Sequence, residues 1–273
     1  MDLYYLSSDG QKVNLDESPI YFKRWGLSGY RHDYLTINGR IKNFKKEIYE
    51  SEIEVVLRTS RKNAVEVLNK IFEIFESDIL KNQRGRLYYG KQYLLCNIYG
   101  SKKSLYEDLT HALINNLYVV ADEQTWINEQ YYSFDPKPAS FAGAFLNYPH
   151  DYSYDYSTSG SKKEIVNDHY GACDFEMNIF GPCVNPAITI GGHLYEVITT
   201  VGEDEYLRIR SREGSVVKIS KTGEQTNEFN SRNTDYSLFE KIQPGRSDVT
   251  WDGSFGFDIT LFIERSEPEW TLQ

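Results

Sequence analysis

Asp174-Phe175-Glu176-Met177-Asn178-Ile179 places an apolar side chain at every second position. Phe257, Ile259, Leu261 and Ile263 repeat that spacing, alternating with Asp258, Thr260 and Phe262. Strict alternation turns one face of a strand toward a core and the other toward water. Between the two runs lie Asn185-Pro186, Gly191-Gly192, Glu213-Gly214, Thr222-Gly223, Pro244-Gly245 and Asp252-Gly253. Such dipeptides supply the positive or fixed φ angles of tight turns. Short strands joined by turns, without an intervening helical pattern, predict an antiparallel sandwich or jelly roll over residues 174–263.

Outward from this stretch, the first 60 residues also read as β-rich. Tyr21–Leu27 and Glu52–Arg58 are strand-like, and Ile53, Val55 and Leu57 share one face of the second. Asn38-Gly39, between Tyr34–Ile37 and Arg40-Ile41, is the signature of a type I′ hairpin. One amphipathic helix follows, at about residues 60–82. Thr59 or Ser60 can cap it, the apolar stripe runs Ala64, Leu68, Ile71, Phe72, Phe75, Ile79 and Leu80, and Asn82 and Gly85 provide the stop. The stripe is expected to pack on a sheet. Gly90-Lys91 reads as a two-residue hairpin, and Asn116–Asp122 as a returning strand. Leu105–Leu113 reads equally well as helix or as extended chain.

A chain of 273 residues accommodates two domains. Asp135-Pro136-Lys137-Pro138 is the expected boundary, because two prolines disfavour helix and stiffen the chain. An apolar fraction of 40% supplies real cores, and 22 tyrosines suit half-buried sheet faces and contact surfaces. The net charge of −10 repels phosphate backbones, so nucleic-acid binding is not expected. It fits an acidic channel wall as well as an ordinary soluble protein. Cys96, Cys173 and Cys183 are too few and too scattered for a disulfide scaffold, and reduced, buried thiols are the expectation. The start lacks the basic flank and apolar run of a signal peptide, and no apolar run reaches 18 residues, so neither export nor membrane insertion is expected.

The succession Asn185-Pro186-Ala187-Ile188-Thr189-Ile190, Glu205-Tyr206-Leu207-Arg208-Ile209 and Leu238–Gly245, then a closing strand, resembles the C-terminal domain of phage distal tail proteins. Strands before a helix, a hairpin with glycine at its tip and a returning strand resemble the N-terminal domain of that family. The resemblance covers nearly the whole chain, with residues 136–172 matching least. It implies a mainly β protein of β-sandwich type: a ring-forming domain over 1–135 that carries the single helix, then a galectin-like, jelly-roll β-sandwich over 136–273. It further implies a homo-hexameric ring at the virion tail tip, made in a bacterial cytoplasm. The implied partners are the tail tube protein, a tail-associated hub protein, and receptor-binding or other baseplate proteins.

Catalytic signatures are missing. The chain has no Gly-x-Ser-x-Gly, no phosphate-binding glycine loop, no dinucleotide fingerprint and no His-Glu-x-x-His. Adjacent His–carboxylate pairs such as Asp168-His169 point to opposite faces of a strand and do not build a site. No enzyme activity, metal or cofactor is therefore expected. Tyr148, Tyr152, Tyr154 and Tyr156 alternate with Asp and Ser and stand as contact residues; internal packing, a partner protein and a carbohydrate all suit them. Two other readings compete with the hub. One is a monomeric carbohydrate-binding adhesin, which requires aromatics gathered on one face. The other is a wall hydrolase, which requires two carboxylates about 5–10 Å apart in a cleft.

Overall fold

The computed structural model describes residues 2–24, 29–136 and 164–269. The chain divides into two compact units, Met1–Asn128 with Glu264–Gln273, and Glu129–Ile263. It is mainly β, with one α-helix among the described residues.

The first unit holds β1 (Leu3–Leu6), β2 (Lys12–Asn14), β3 (Ile20–Arg24), β4 (Asp33–Ile37), β5 (Arg40–Lys45), β6 (Tyr49–Arg58), α1 (Arg61–Leu80), β7 (Gly85–Tyr89), β8 (Gln92–Lys103), β9 (Ala112–Ala121) and the start of β10 (Trp126–Phe134). Strand β8 serves two sheets. Its first half lies between β7 and β10, in the order β2-β1-β7-β8-β10; from Asn97 on it pairs with β9, through a register shift between Ile98 and Gly100, and β9 continues to β6 and β3. A bulge bends a strand in this way and lets one strand turn a corner between sheets. Leu57, Leu94, Leu117 and Trp126 are fully enclosed in the core that results.

Helix α1 closes this core. The Ser60 hydroxyl accepts from the Asn63 amide at 3.4 Å, a cap worth about 1 kcal/mol. At the other end Asn82 takes φ +50°, its amide bonds Ile79 O, and the Gln83 amide bonds Asp78 O. That pair of bonds is the left-handed stop expected of Asn82. Gly85 plays no part in it: it opens β7, where a Cβ would strike the Tyr5 ring. The buried stripe is also turned from the expected one. Ala64, Ile71, Ile74, Phe75 and Asp78 face inward, whereas Phe72, Ile79 and Leu80 are exposed. Asp78 decides the rotation, because its enclosed carboxylate accepts from the Tyr5 hydroxyl at 2.6 Å, the Ser8 amide at 3.0 Å and the Ser8 hydroxyl at 2.5 Å. Burial, with the Asp78 bond second, pushes the Tyr5 phenol well above its ordinary pKa.

The second unit holds the rest of β10 and β11 (Glu164–Asn167), β12 (Asp174–Phe180), β13 (Cys183–Val184), β14 (Ala187–Ile190), β15 (His193–Glu196), β16 (Thr200–Val201), β17 (Tyr206–Arg210), β18 (Ser215–Ile219), β19 (Gln225–Asn227), β20 (Gly245–Trp251) and β21 (Phe257–Arg265). One sheet runs β19-β18-β17-β12-β21-β10 and another β11-β20-β14-β15. The β12–β21 register pairs Met177 with Ile259 and Phe175 with Leu261, and the expected alternation sends all four side chains inward. Ile188 and Val249 enter the same core from the other sheet, so two sheets share one interior. Gly191 and Gly192, both at positive φ, form the two-residue turn between β14 and β15.

The division between units differs from the boundary expected at 135/136. It falls inside β10, because Trp126, Ile127 and Asn128 are paired with Leu94, Tyr93 and Gln92. Asp135-Pro136 follows the end of that strand. The segment from Glu264 joins the first unit, where the Glu269 amide donates to Gln92 Oε1 at 3.0 Å. Lys137 and Pro138, the Trp25–Leu27 part of the first expected strand, and Trp270 lie outside the described residues.

Candidate interaction surface

The first unit carries one element that its core does not hold. Asn38 and Gly39 take φ of +50° and +72°, which makes the type I′ turn between β4 and β5. The two strands pair only with each other among the described residues. Every β5 side chain is exposed, and so is every β4 side chain beyond Asp33. Tyr34 and Phe44 lie opposite one another with ring centroids 6.5 Å apart. Ile41 follows on their face; Tyr34, Ile41 and Phe44 are 59%, 56% and 58% exposed. A lone two-stranded ribbon is marginal in water, and apolar rings on its open face give it reason to seek a partner.

Polar bonds fix the root of this ribbon and leave its blade untouched. Lys46 Nζ donates to Thr125 Oγ1 at 2.7 Å, and Gln124 Nε2 donates to Gly29 O at 2.6 Å. Lys45 pairs with Glu47 and holds that carboxyl below its usual pKa, first by a hydrogen bond and then by its charge. Arg40, Lys42 and Lys45 give the ribbon a basic balance against Asp33.

The β3 side of the same unit is concave. A cavity of about 980 Å³ is lined by Tyr21, Phe22, Val56, Leu105, Tyr106 and Ile114, among others. Of Leu105–Leu113, the part up to His111 is a turn closed by the Glu107–Ala112 bridge and the last two residues open β9; Leu105 and Leu109 are almost wholly exposed. β3 pairs with β6 alone among the described strands, so this rim is a sheet edge. An apolar ribbon and an apolar recess on one unit are the two unlike halves that a head-to-tail contact between copies needs.

Chemistry is sparse by comparison. Among the described residues no group of three or more His, Cys, Asp or Glu is placed to hold a metal ion. His193 Nε2 lies 2.8 Å from Ser237 O, and His111, at φ +49°, lies 3.3 Å from the Tyr106 hydroxyl. Asp252-Gly253-Ser254 is a turn in which Ser254 bonds its own neighbour Asp252. No disulfide links Cys96, Cys173 or Cys183; all three are buried, and burial pushes the Cys96 thiol up to about 12. Trp251 is a core residue whose Nε1 donates to Phe255 O at 2.9 Å. No described helix is long and apolar enough to cross a membrane. Tyr148, Tyr152, Tyr154 and Tyr156 lie outside the described residues. The sequence reading did not single out the exposed Tyr34, Ile41 and Phe44; the signal was the apolar-rich ribbon around Asn38-Gly39.

Two sheet-based units in this order, the first with its single helix, have the fold of phage tail hub proteins. By sequence alone the chain matches no protein-family model, and no curated protein matches it. Among solved structures it is similar to the Dit protein of phage SPP1, described as a hub of the adsorption apparatus in phages that infect Gram-positive bacteria. The TM-score is 0.59 and the identity 9%, over 96% of this chain and 99% of that one. It is similar as well to a chain of the phage P2 baseplate in its activated conformation with calcium, at TM-score 0.59, 9% identity, and 98% and 100% coverage. The strontium form of that baseplate gives 0.59, 11%, 98% and 100%.

Proposed function

We propose that this chain is a structural tail protein of a long-tailed phage or prophage, the distal hub that joins the tail tube to the baseplate. The observation that carries the reading is coverage: a hub fold spans both units from end to end, with neither unit left over. The first unit closes a homo-hexameric ring, with the β4–β5 ribbon of one copy lying in the β3-side recess of the next. The exposed Tyr34, Ile41 and Phe44 support that contact. The second unit is a galectin-like sandwich that presents its surface to receptor-binding or other baseplate proteins, and a tail-associated hub protein meets the ring. The role is mechanical and calls for no catalysis and no cofactor.

Gold-labelled antibody against this chain is expected to decorate the far tip of intact tails, at the end away from the capsid. Label along the tube or on the capsid alone would refute a distal position.

A further inference from the structure

The outer face of the second unit's β10–β21–β12–β17 sheet carries a second, unlike surface. Register places Asp258, Asn178 and Arg208 side by side on three neighbouring strands. Arg208 Nε donates to Asn178 Oδ1 at 3.3 Å, and Asn178 Nδ2 donates to Glu176 Oε1 at 3.2 Å. Glu176 also accepts from Arg210 Nε at 2.7 Å. Aromatic rings frame this strip. Tyr131, 64% exposed, stands beside Asp258 at one end, while Phe180, 41% exposed, stands 6.4 Å from Tyr206 along one side. A cavity of about 230 Å³ opens beside it, lined by Asp258, Phe180, Ser133, Asp135 and Ser254 among others.

We propose that this face binds a neutral saccharide, with a sugar ring stacked on Tyr131 or Phe180 and its hydroxyls held by Asp258, Asn178 and Arg208. Three features select that class. The strip alternates donors and acceptors at the spacing of adjacent strands, which suits a ligand that carries both on every carbon. Arg208 and Arg210 face Glu176 and Asp258, with Asp135 in the cavity beside them, so the strip offers no pull to an anion and its arginines weigh against a cation. Exposed aromatic faces beside it supply flat apolar area for the C–H face of a pyranose. A buried structural network needs no exposed tyrosine at its end and no cavity next to it.

The site is independent of the ring contact and is tested separately. The full chain is applied to an array of neutral hexose, deoxyhexose and N-acetylhexosamine glycans. Retention on at least one class is expected, with competition by the matching free sugar. Asn178→Ala and Tyr131→Ala are each expected to weaken it about tenfold, the loss of one good contact. Both positions are on the solvent side of the sheet, and unchanged thermal unfolding confirms that the variants fold. Lys70→Ala, on the exposed side of α1 in the first unit, keeps wild-type retention. A blank array, or retention that survives both substitutions, overturns the proposal and leaves the hub reading standing.

Discussion

Gly85→Ala is expected to destabilise the first unit by about 3–5 kcal/mol, the sum of an overpacking cost and of a strained charge-assisted hydrogen bond. The added methyl overlaps the Tyr5 hydroxyl and ring end, and approaches Leu6 O to 2.8 Å. Tyr5 has little room to yield, being fully buried with its ring edge-on to Phe75 at 5.2 Å. If it turns, it abandons Asp78, whose carboxylate is enclosed at the inner face of α1 and keeps only Ser8 as a donor. One substitution thus disturbs β1, β7 and α1 together. A loss of this size is a large share of the roughly 5–15 kcal/mol that holds a typical domain. Urea unfolding measures it. In a Tyr5→Leu background the ring end is gone, and the same alanine is expected to cost far less. An unshifted midpoint for Gly85→Ala in the wild-type background would show that the Tyr5–Asp78 clamp is not what fixes the helix.

The triple substitution Tyr34→Ser, Ile41→Ser, Phe44→Ser is expected to leave folding intact and abolish assembly. None of the three side chains belongs to the buried core, so unfolding of the first unit should move little. Burying each in a neighbouring copy contributes about 1–2 kcal/mol, together on the order of 4 kcal/mol and about a thousandfold in affinity per contact. A closed ring repeats that contact between every adjacent pair and amplifies the loss. Sedimentation of the variant beside the wild type reads the outcome. A variant that still assembles as the wild type does would remove the ribbon from the interface.

Much of the fold was legible in the sequence because its signals are local. Alternation at Phe175, Met177 and Ile179 and at Phe257, Ile259 and Leu261 gave inward faces that the sheet register then aligned. Asn38-Gly39, Gly90-Lys91 and Gly191-Gly192 marked turns that need no tertiary information. What failed was set at long range. The rotation of α1 depends on a carboxylate bonded to Tyr5 and Ser8, more than sixty residues away in the chain, so Asp78 replaced Phe72 and Ile79 on the inner face. Gly85 looked like a helix stop, yet it serves an approach to Tyr5 that no spacing rule encodes. The contact division inside β10 follows pairing with β8, while the two prolines stand where that strand ends. The exposed apolar residues were the least legible: Tyr34, Ile41 and Phe44 look like any apolar strand, and only the pairing among the described residues makes them surface.

The hub account rests on copies of this chain gripping one another through the first unit. Native mass measurement of the purified full chain over a range of concentrations tests that most directly. A dominant species at six times the 31.8 kDa chain mass is expected. A single-chain mass persisting to the highest concentration would contradict it.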